Sequence, residues 1–279
     1  MKTVGFIDYF LNEWHANEYP GMIRAYNEKN GTDYQVQYAW AEMDIPGGMS
    51  TEEWCELHGV KRCHSIEELC EKCDYVIVLS PSNPEKHLAY AERVFKCGKS
   101  PYIDKTFAPD YATAKEIYAL AEKYGVKFFT SSALRYAEEL NSYMGTAKAI
   151  STVGGGSNLD EYIIHQIEME VKCLGVGAEK VRYNKHADQE WAEVLYPDGR
   201  YATMMFAPGI PFVATVADAE GHSAYLPINS AFFDNLIADI FRFFETGETS
   251  FCGAETLEVM KIREAIIKAK SEAGVWLKL

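Results

Sequence analysis

Short apolar runs typical of buried strands alternate with helix-like stretches through the first half of this sequence, and this alternation constrains the fold most. The run Tyr75–Leu79 is continuously apolar and ends in a Ser-Pro-Ser-Asn-Pro turn, as expected of a central strand in a parallel sheet. The pattern predicts an α/β fold class, with a doubly wound, Rossmann-like nucleotide-binding domain over residues 1–133. Its predicted strands cover residues 3–7, 35–41, 75–79 and 127–130 together with the run before Lys105, and its predicted helices cover 21–29, 51–58, 85–96 and 111–124, with another opening at Ser65.

The second half of the sequence has a different pattern, in which strands are joined by tight turns. Pro197–Arg200 and Glu220–His222 are such turns, and they predict a largely antiparallel sheet. Residues 134–279 are therefore predicted to form an α+β substrate-binding and oligomerisation domain, whose C-terminal helix is able to pack back on the first domain. The predicted strands cover residues 179–188, 191–196, 201–206, 212–219 and 223–226, and the predicted helices cover 230–245 and 254–273.

The strands of the second half carry more large apolar side chains than one sheet face normally leaves exposed. This pattern predicts a homodimer or homotetramer that forms through the C-terminal sheet. A packed core beneath the terminal helices is the alternative explanation. The residues concerned are Trp191, Tyr201, Met204, Met205 and Phe206.

Charge and cysteine content exclude several classes of protein. The 279 residues include 41 acidic and 27 basic side chains, for a formal net charge of -14, which opposes binding to nucleic acid or to an anionic membrane. The chain enters a strand directly after Met1 and has no long apolar run, so we expect a cytoplasmic protein. Seven cysteines do not form a disulfide framework, and the Cys70 and Cys73 pair is interpreted as structural, with a redox or zinc pair as the alternative.

Lys105 stands after the apolar residues Tyr102 and Ile103, next to Asp104. A helix-to-strand turn precedes this run and a long amphipathic stretch follows, which places Lys105 at the carboxyl end of a buried parallel strand. Open α/β sheets bind their ligands at that edge. A lysine there can donate a proton or hold a substrate oxygen, whereas a solvated loop lysine is the alternative.

Several segments, in this order and spacing, resemble the Gfo/Idh/MocA family of nicotinamide-dependent oxidoreductases, the group of glucose-fructose oxidoreductase and inositol dehydrogenase. Val78–Asn83 followed by His87 resembles the family's strand-Thr-Pro-x-x-x-His turn, and Gly98–Ala108 resembles its segment with the Glu-Lys-Pro motif. Gly125–Lys127 leading to Arg135 and Tyr136 is similar to the family's next strand and arginine. The end of the chain, Lys270–Leu277, is similar to its C-terminal ending.

The resemblance implies hydride transfer between a nicotinamide cofactor and a sugar, inositol or related polyol, with NAD preferred and NADP as the alternative. Lys105 matches the catalytic lysine of the Glu-Lys-Pro motif, with Asp104 and Thr106 in place of its neighbours. His165 matches the histidine of the family's Asp-x-x-x-His helix, with Glu161 in place of the aspartate and Asp160 one residue earlier, so the assisting carboxylate is left open.

The chemistry of alcohol oxidation favours these residue types independently. A histidine with a pKa near neutrality suits removal of the hydroxyl proton, and an ammonium group stabilises the developing oxyanion. A structural histidine packed among Ile163, Ile164 and Ile167 is the alternative for His165. The resemblance also implies substrate contacts from Arg135, Tyr136 and Tyr162, and cofactor contacts from Asp8, Tyr9, Phe10, Glu42, Ser80, Pro81, Asn83, His87, Asp104 and Lys105.

The first strand-to-helix turn departs from the family pattern. A dinucleotide fold normally has Gly-x-Gly-x-x-Gly there, because glycines let the backbone approach the diphosphate. Asp8, Phe10 and Glu13 occupy the three glycine positions, and bulky Tyr9 and Trp14 lie beside them. Two carboxylates there are expected to repel a diphosphate, by a few kcal/mol for each near-contact pair. The missing glycines allow three interpretations. The loop swings aside and leaves the cofactor bound by the rest of the site, the crevice binds another ligand, or the protein has lost redox chemistry.

Two further hypotheses concern acidic residues near this turn. Glu42 and Asp44 follow the second strand, where an acid commonly binds the adenosine ribose, although an acidic solvated loop explains them equally well. Asp8, Glu13, His15 and Glu18 include possible metal ligands, but their spacing matches no known zinc motif, so no metal is predicted. A ligand-binding or regulatory protein, or a lyase or epimerase using Lys105 and His165, is the alternative to an oxidoreductase.

Overall fold

The computed structural model describes residues 1–279, and the chain divides into two compact units. The first unit comprises residues 1–131 and 234–250, and the second comprises residues 132–233 and 251–279. The sequence pattern predicts a single break after residue 133. The structure adds a return of the chain to the first unit at residue 234.

The first unit contains a five-stranded parallel sheet with helices between successive strands. Its strands are β1 (Lys2–Asp8), β2 (Tyr34–Ala41), β3 (Lys61–Arg62), β4 (Tyr75–Val78) and β5 (Tyr102–Ile103), and its helices are α1 (Trp14–Asn30), α2 (Thr51–His58), α3 (Ile66–Lys72), α4 (His87–Lys96) and α5 (Tyr111–Tyr124). The strand order is β3-β2-β1-β4-β5, so the winding reverses between β1 and β4. This confirms the Rossmann-like class, in which ligands bind at the carboxyl ends of the strands where the winding reverses.

The returning segment joins the core of the first unit through aromatic side chains. The ring of Phe241 stacks on Tyr34 at 3.8 Å between centroids, and Phe244 stacks on Tyr75 at 4.7 Å. The carboxylate of Glu245 accepts hydrogen bonds from the hydroxyl groups of both tyrosines, at 2.7 and 2.8 Å. These contacts lie at the first residues of β2 and β4, and they explain why a segment distant in sequence belongs to this unit.

Two elements of the first unit differ from the sequence prediction. Helix α1 begins at Trp14 and contains Pro20, whereas the predicted helix starts at residue 21. Proline removes one helical hydrogen bond and is therefore interpreted as a break, but here packing of the buried residues on either side keeps the helix continuous. The predicted strand at residues 127–130 is a single parallel bridge between Phe129 and Tyr102.

The second unit contains a seven-stranded sheet covered by long helices. Its strands are β6 (Ala149–Gly154), β7 (Lys180–His186), β8 (Gln189–Leu195), β9 (Tyr201–Phe206), β10 (Val213–Ala217), β11 (Ser223–Pro227) and β12 (Trp276–Lys278), and its helices are α6 (Leu159–Leu174) and α8 (Gly253–Ala269); α7 (Phe232–Thr246) carries the chain back to the first unit. The order is β11-β10-β6-β9-β8-β7-β12, and only β6 and β9 pair in parallel. The largely antiparallel sheet is confirmed.

The large apolar side chains of β8 and β9 divide between the two faces of this sheet. Met204 and Phe206 are buried in the core, as the alternative interpretation predicts for them. Trp191, Tyr201 and Met205 are only half-buried on the other face. The predicted oligomer face is therefore limited to these three residues, and the oligomer itself stays a prediction.

None of the helices has both the length and the apolar character needed to cross a membrane. All seven cysteines are free thiols. Cys70 and Cys73 are buried, and burial raises the pKa of the Cys73 thiol to about 12, so this thiol stays protonated at neutral pH.

Candidate active site

The turns after β1 and β4 are joined by a network that we call the Asp8–Ser80 clamp, formed by Asp8, Tyr9 and Ser80. Oδ1 of Asp8 accepts hydrogen bonds from the N–H of Tyr9 at 2.7 Å, the N–H of Ser80 at 2.9 Å and the hydroxyl of Ser80 at 3.1 Å. The Tyr9 N–H also reaches Oγ of Ser80 at 2.8 Å. Ser80 has a positive φ of 62°, unusual for a residue other than glycine, and this conformation turns its N–H toward Asp8.

The Asp8 carboxyl group is fully buried, and its Oδ2 atom has no hydrogen-bond partner. Burial raises the pKa of Asp8 well above its usual value, the charge of Glu13 raises it further, and the hydrogen bonds of the clamp only partly oppose the shift. The neutral acid is therefore favoured. The raised pKa lessens the charge that Asp8 is expected to present to a diphosphate.

Asp8→Asn is expected to stabilise the protein relative to wild type increasingly as the pH rises. A raised folded-state pKa means that the contribution of Asp8 to stability is fully present below its usual pKa and is lost as the pH rises through the folded value. The melting temperatures of both proteins, compared at about pH 4 and about pH 8, measure this effect. A difference that does not change with pH would show that Asp8 ionises normally in the folded protein.

The remaining predicted cofactor residues around this turn are engaged by neighbouring protein groups. The rings of Tyr9 and Phe10 lie 5.2 Å apart. Glu42 accepts hydrogen bonds from Lys86 at 2.5 Å and from the Tyr90 hydroxyl at 2.7 Å, and the Lys86 contact is the main cause of a lowered pKa at Glu42. Glu42 is therefore held by two neighbouring side chains, and its contact with a ribose stays a prediction.

Asp44, the other candidate for ribose binding, accepts a hydrogen bond from the N–H of Thr51 at 2.7 Å, which lowers its pKa. Asp44 therefore stabilises the first turn of α2. Asn83 donates to Glu85 at 3.0 Å, and Pro81 is buried in the turn after β4.

The lysine turn follows β5 and is held by the acid beside the lysine. Asp104 is buried and contacts His15 Nδ1 through Oδ2, while the hydroxyl groups of Tyr19 and Tyr102 reach Oδ1 at 3.4 and 3.2 Å. Burial alone would raise the pKa of Asp104, but His15 and Lys105 lower it overall. Asp104 thus anchors the turn as a carboxylate, and the Lys105–Thr106 peptide bond that follows is cis.

His87 is fully buried and links the turns after β4 and β5. Its Nε2 lies 2.5 Å from the carbonyl oxygen of Leu79, and its Nδ1 lies 3.0 Å from the carbonyl oxygen of Phe107. Burial lowers the pKa of His87. A neutral ring donates to one of these two carbonyl oxygens and lies against the other, so His87 orders the turns that carry Ser80 and Lys105.

In the second unit, a serine hydroxyl orients the histidine that the sequence singled out. His165 lies on α6 and is 9% exposed, and its Nδ1 is 2.6 Å from Oγ of Ser132. Oε1 of Glu168, one helical turn after His165, accepts a hydrogen bond from the Ser132 N–H at 3.1 Å. Ser132 and Glu168 were not identified from the sequence. The only sequence features that point to these two residues are the position of Ser132 after a predicted strand and the spacing of three residues between His165 and Glu168.

The two carboxylates proposed to assist His165 both have partners near the start of α6. Glu161 accepts hydrogen bonds from Asn158 at 3.3 Å and Ser157 at 3.4 Å, at the start of α6. Asp160 forms an ion pair with Lys270 at 2.5 Å. The structure instead connects the imidazole to Glu168 through Ser132.

Arg135 lies in a buried ionic network of the second unit. Its guanidinium group donates to Glu168 at 3.0 Å, contacts Glu255, and stacks 3.8 Å from the ring centre of Phe251. Arg135 is 6% exposed and Glu168 is 5% exposed. These contacts indicate a structural role for Arg135, whereas Tyr136 and Tyr162 remain half-exposed.

Two aromatic rings lie beside His165. The ring centre of Tyr162 is 5.6 Å from that of His165, and the ring of Phe212 meets it edge to face at 5.8 Å. The loop after β6 permits this arrangement, because a Cβ atom at Gly154 would overlap Phe212 and one at Gly156 would overlap Tyr162. Phe212 was not identified from the sequence.

Gln166 fixes the orientation of α6 next to this group. Its side chain is fully buried, accepts a hydrogen bond from Thr152 at 2.7 Å, and donates to the carbonyl oxygens of Met205 and Gly154 at 3.1 and 3.3 Å. His165 directly precedes Gln166 on α6, so these bonds to β6 and β9 help to fix the direction of the imidazole.

The fold thus combines a Rossmann-type parallel sheet with a unit that contains a large, mostly antiparallel sheet. A sequence model of an oxidoreductase family with an NAD-binding Rossmann fold, GFO_IDH_MocA, matches residues 32–132. The resemblance drawn from the motifs is thereby confirmed over residues 32–132, which match the model of the Gfo/Idh/MocA family. The match begins after β1 and the first turn.

A 61-residue segment is 33% identical to the uncharacterized oxidoreductase YhhX of Escherichia coli (strain K12), spanning 22% of this chain and only 18% of that protein.

Three solved structures share the fold over nearly the whole of both chains. A putative myo-inositol dehydrogenase from Sinorhizobium meliloti 1021 is 13% identical with a TM-score of 0.73, covering 100% of this chain and 99% of that chain. GenD2 from gentamicin A biosynthesis, in complex with NAD, is 13% identical with a TM-score of 0.79, covering 100% and 97%. UDP-N-acetylglucosamine 3-dehydrogenase GnnA from Acidithiobacillus ferrooxidans is 14% identical with a TM-score of 0.75, covering 96% and 97%.

The nicotinamide dinucleotide implied by this family does not fit the first turn of this chain. The turn has no glycine, the Asp8 carboxyl group occupies the end of β1, and Glu13 directly precedes α1 in extended conformation. The Tyr9 N–H of this turn already donates to Asp8 and Ser80, and the Ser80 N–H of the turn after β4 donates to Asp8. A dinucleotide is therefore not expected to bind at this turn through its diphosphate.

Proposed function

We propose that this protein is an oxidoreductase that acts on a CH–OH group of a sugar, an inositol or a related polyol. The family of residues 32–132 and the fold shared with two named sugar or inositol dehydrogenases support this proposal. The single observation that carries it is the bond between Ser132 and Nδ1 of His165. A buried imidazole oriented by a hydroxyl group and flanked by aromatic rings suits proton transfer with a hydroxyl-bearing substrate.

Each candidate residue has a distinct role in this proposal. His165 accepts the proton of the substrate hydroxyl when the carbonyl forms, and a nicotinamide would accept the hydride from the same carbon; the reverse reaction would return both. Lys105 stabilises the negative charge that develops on the substrate oxygen. The half-exposed Tyr162 is proposed to contact the substrate, and Ser132 holds the imidazole in place.

NAD is the cofactor that the family implies, with NADP as the alternative. Ser80 and Lys105 are the residues that we propose on the nicotinamide side. We also propose that the chain forms a homodimer or homotetramer through the half-exposed face of β8 and β9, which carries Trp191, Tyr201 and Met205.

A substrate screen tests the oxidoreductase proposal. The protein is first denatured and the supernatant spectrum recorded, to detect any retained cofactor. The folded protein is then mixed with NAD⁺ or NADP⁺ and a panel of sugars, inositols and linear polyols, and formation of the reduced cofactor is followed by absorbance. We expect turnover with at least one member of the panel. No turnover in either direction, with the corresponding keto compounds included, would contradict the proposal.

A second candidate function is acid–base chemistry without net oxidation, as in a lyase or epimerase. The Asp8–Ser80 clamp favours it, because such chemistry needs no dinucleotide at the first turn. Incubation with keto sugars in deuterated water, without cofactor, distinguishes the two. Deuterium entering a carbon-bound position would support this candidate, while binding without exchange or turnover would favour a regulatory protein.

A further inference from the structure

The carboxyl ends of β1 and β4 meet where the winding of the first sheet reverses, and the clamp joins them there. Proteins with this topology bind ligands in the crevice at that point. In this chain the side chain of Asp8 lies at this point, bonded to Ser80 and with no surface accessible to solvent.

We infer that the Asp8–Ser80 clamp closes the diphosphate subsite of the first unit, so that this crevice accepts ligands that lack a diphosphate. The inference goes beyond the proposed reaction, because it concerns which ligands the first unit admits. It holds whether or not the protein transfers hydride.

The clamp occupies backbone donors of the first turn and of the turn after β4. In glycine-containing turns the free N–H groups at the start of the helix point at the phosphates. Here the Tyr9 N–H lies 2.7 Å from Asp8 and 2.8 Å from Oγ of Ser80, and the Ser80 N–H lies 2.9 Å from Asp8. A diphosphate would have to break these bonds and displace the Asp8 side chain before it could bind.

The diphosphate can be excluded because the Asp8 side chain fills the subsite or because its charge repels the phosphates. These two explanations predict different effects of substitutions at residue 8. If the clamp excludes the diphosphate by filling the subsite, asparagine preserves the exclusion, because its amide oxygen can accept the same hydrogen bonds. If charge excludes the diphosphate, asparagine relieves the exclusion as well as glycine does. The buried environment of Asp8, which favours the neutral acid, supports the first explanation.

Binding measurements on four proteins test the inference: wild type, Asp8→Asn, Asp8→Gly and Ser80→Gly. The ligands are NADH and reduced nicotinamide mononucleotide, which lacks the diphosphate and the adenosine, and the readout is energy transfer from tryptophan to the reduced nicotinamide. Circular dichroism verifies folding. Ser80→Gly loosens the clamp from the β4 side and suits the backbone, because glycine readily adopts the positive φ of residue 80.

We expect wild type and Asp8→Asn to bind NADH no more tightly than the mononucleotide. Asp8→Gly is expected to bind NADH at least about tenfold more tightly than wild type does, with Ser80→Gly changing in the same direction. Tighter NADH binding by Asp8→Asn, equal to that of Asp8→Gly, would overturn the inference in favour of charge. It would also be overturned if wild type binds NADH about tenfold more tightly than the mononucleotide, or if neither glycine variant gains affinity.

These outcomes are separate from failure of the proposed function. A protein that turns over no sugar or polyol, yet gains NADH affinity in the glycine variants, would lose the oxidoreductase assignment and keep the closed subsite. If Asp8→Gly does not fold, Ser80→Gly decides the question alone.

Discussion

His165→Ala and Lys105→Ala are each expected to lower kcat by about 10²- to 10⁴-fold with the substrate that the screen identifies, because proton transfer and oxyanion stabilisation act in the transition state. Both proteins should remain folded, as judged by circular dichroism. Steady-state kinetics over a range of pH measure the effect.

Matched controls use the same substitutions at positions outside the proposed machinery. His186→Ala changes an exposed histidine at the end of β7, and Lys29→Ala changes an exposed lysine at the end of α1. Both should retain normal turnover. Ser132→Ala tests the positioning role of the hydroxyl group, and it should lower kcat less than His165→Ala and shift the pH profile. Near-normal activity of His165→Ala or Lys105→Ala would remove that residue from the mechanism.

Arg135→Met is expected to lower the free energy of unfolding by about 3–5 kcal/mol, because it leaves the Glu168 carboxylate buried without its partner. Urea denaturation measures this change. The double variant Arg135→Met with Glu168→Gln should recover part of the loss, since the neutral amide needs no cation. Arg62→Met, which breaks an exposed pair with Glu52 at 3.4 Å, should cost no more than about 1 kcal/mol.

This experiment also separates two roles of Arg135. A residue that only binds substrate would raise KM when it is replaced and leave the urea transition unchanged. A structural residue shifts the transition even without substrate. An unchanged transition for Arg135→Met would therefore restore the substrate-binding interpretation drawn from the family resemblance.

Local patterns in the sequence predicted several elements well because their causes are local. Ser50 begins α2 with a complete capping box, and α5 ends at Gly125, whose φ is 65°. Ser65 caps α3, which begins there as predicted, because its hydroxyl group accepts a hydrogen bond from the Glu68 N–H. The capping box is incomplete, since the Glu68 carboxylate accepts from the His64 N–H and not from the Ser65 N–H. Hydrogen bonds within a few residues leave a signature that can be read directly.

The parts of the fold that were missed depend on distant partners. Strand β6 combines apolar residues with Ser151 and Thr152, so its sequence does not stand out as a strand, yet it pairs with β9 and β10 inside the sheet. Its place is set by strands that follow about fifty residues later in the chain.

The candidate site also contains both residues that local motifs indicate and residues whose partners are distant in sequence. Lys105 and His165 could be proposed as site residues because motifs surround them, whereas the residues that contact their neighbourhood are far away in sequence. His15 contacts Asp104 across 89 positions, and Ser132 contacts His165 across 33. Nothing in the local pattern around His15 or Ser132 indicates these partners, because the pairing exists only after folding.

The return of residues 234–250 to the first unit has a consequence for dissecting this protein. A fragment that stops at residue 131 would lack Phe241, Phe244 and Glu245, and would expose the rings of Tyr34 and Tyr75 that they cover. Exposed aromatic surface of this kind promotes aggregation. The two units are thus not separable by a single cut, and the first unit is complete only when most of the chain has been synthesised.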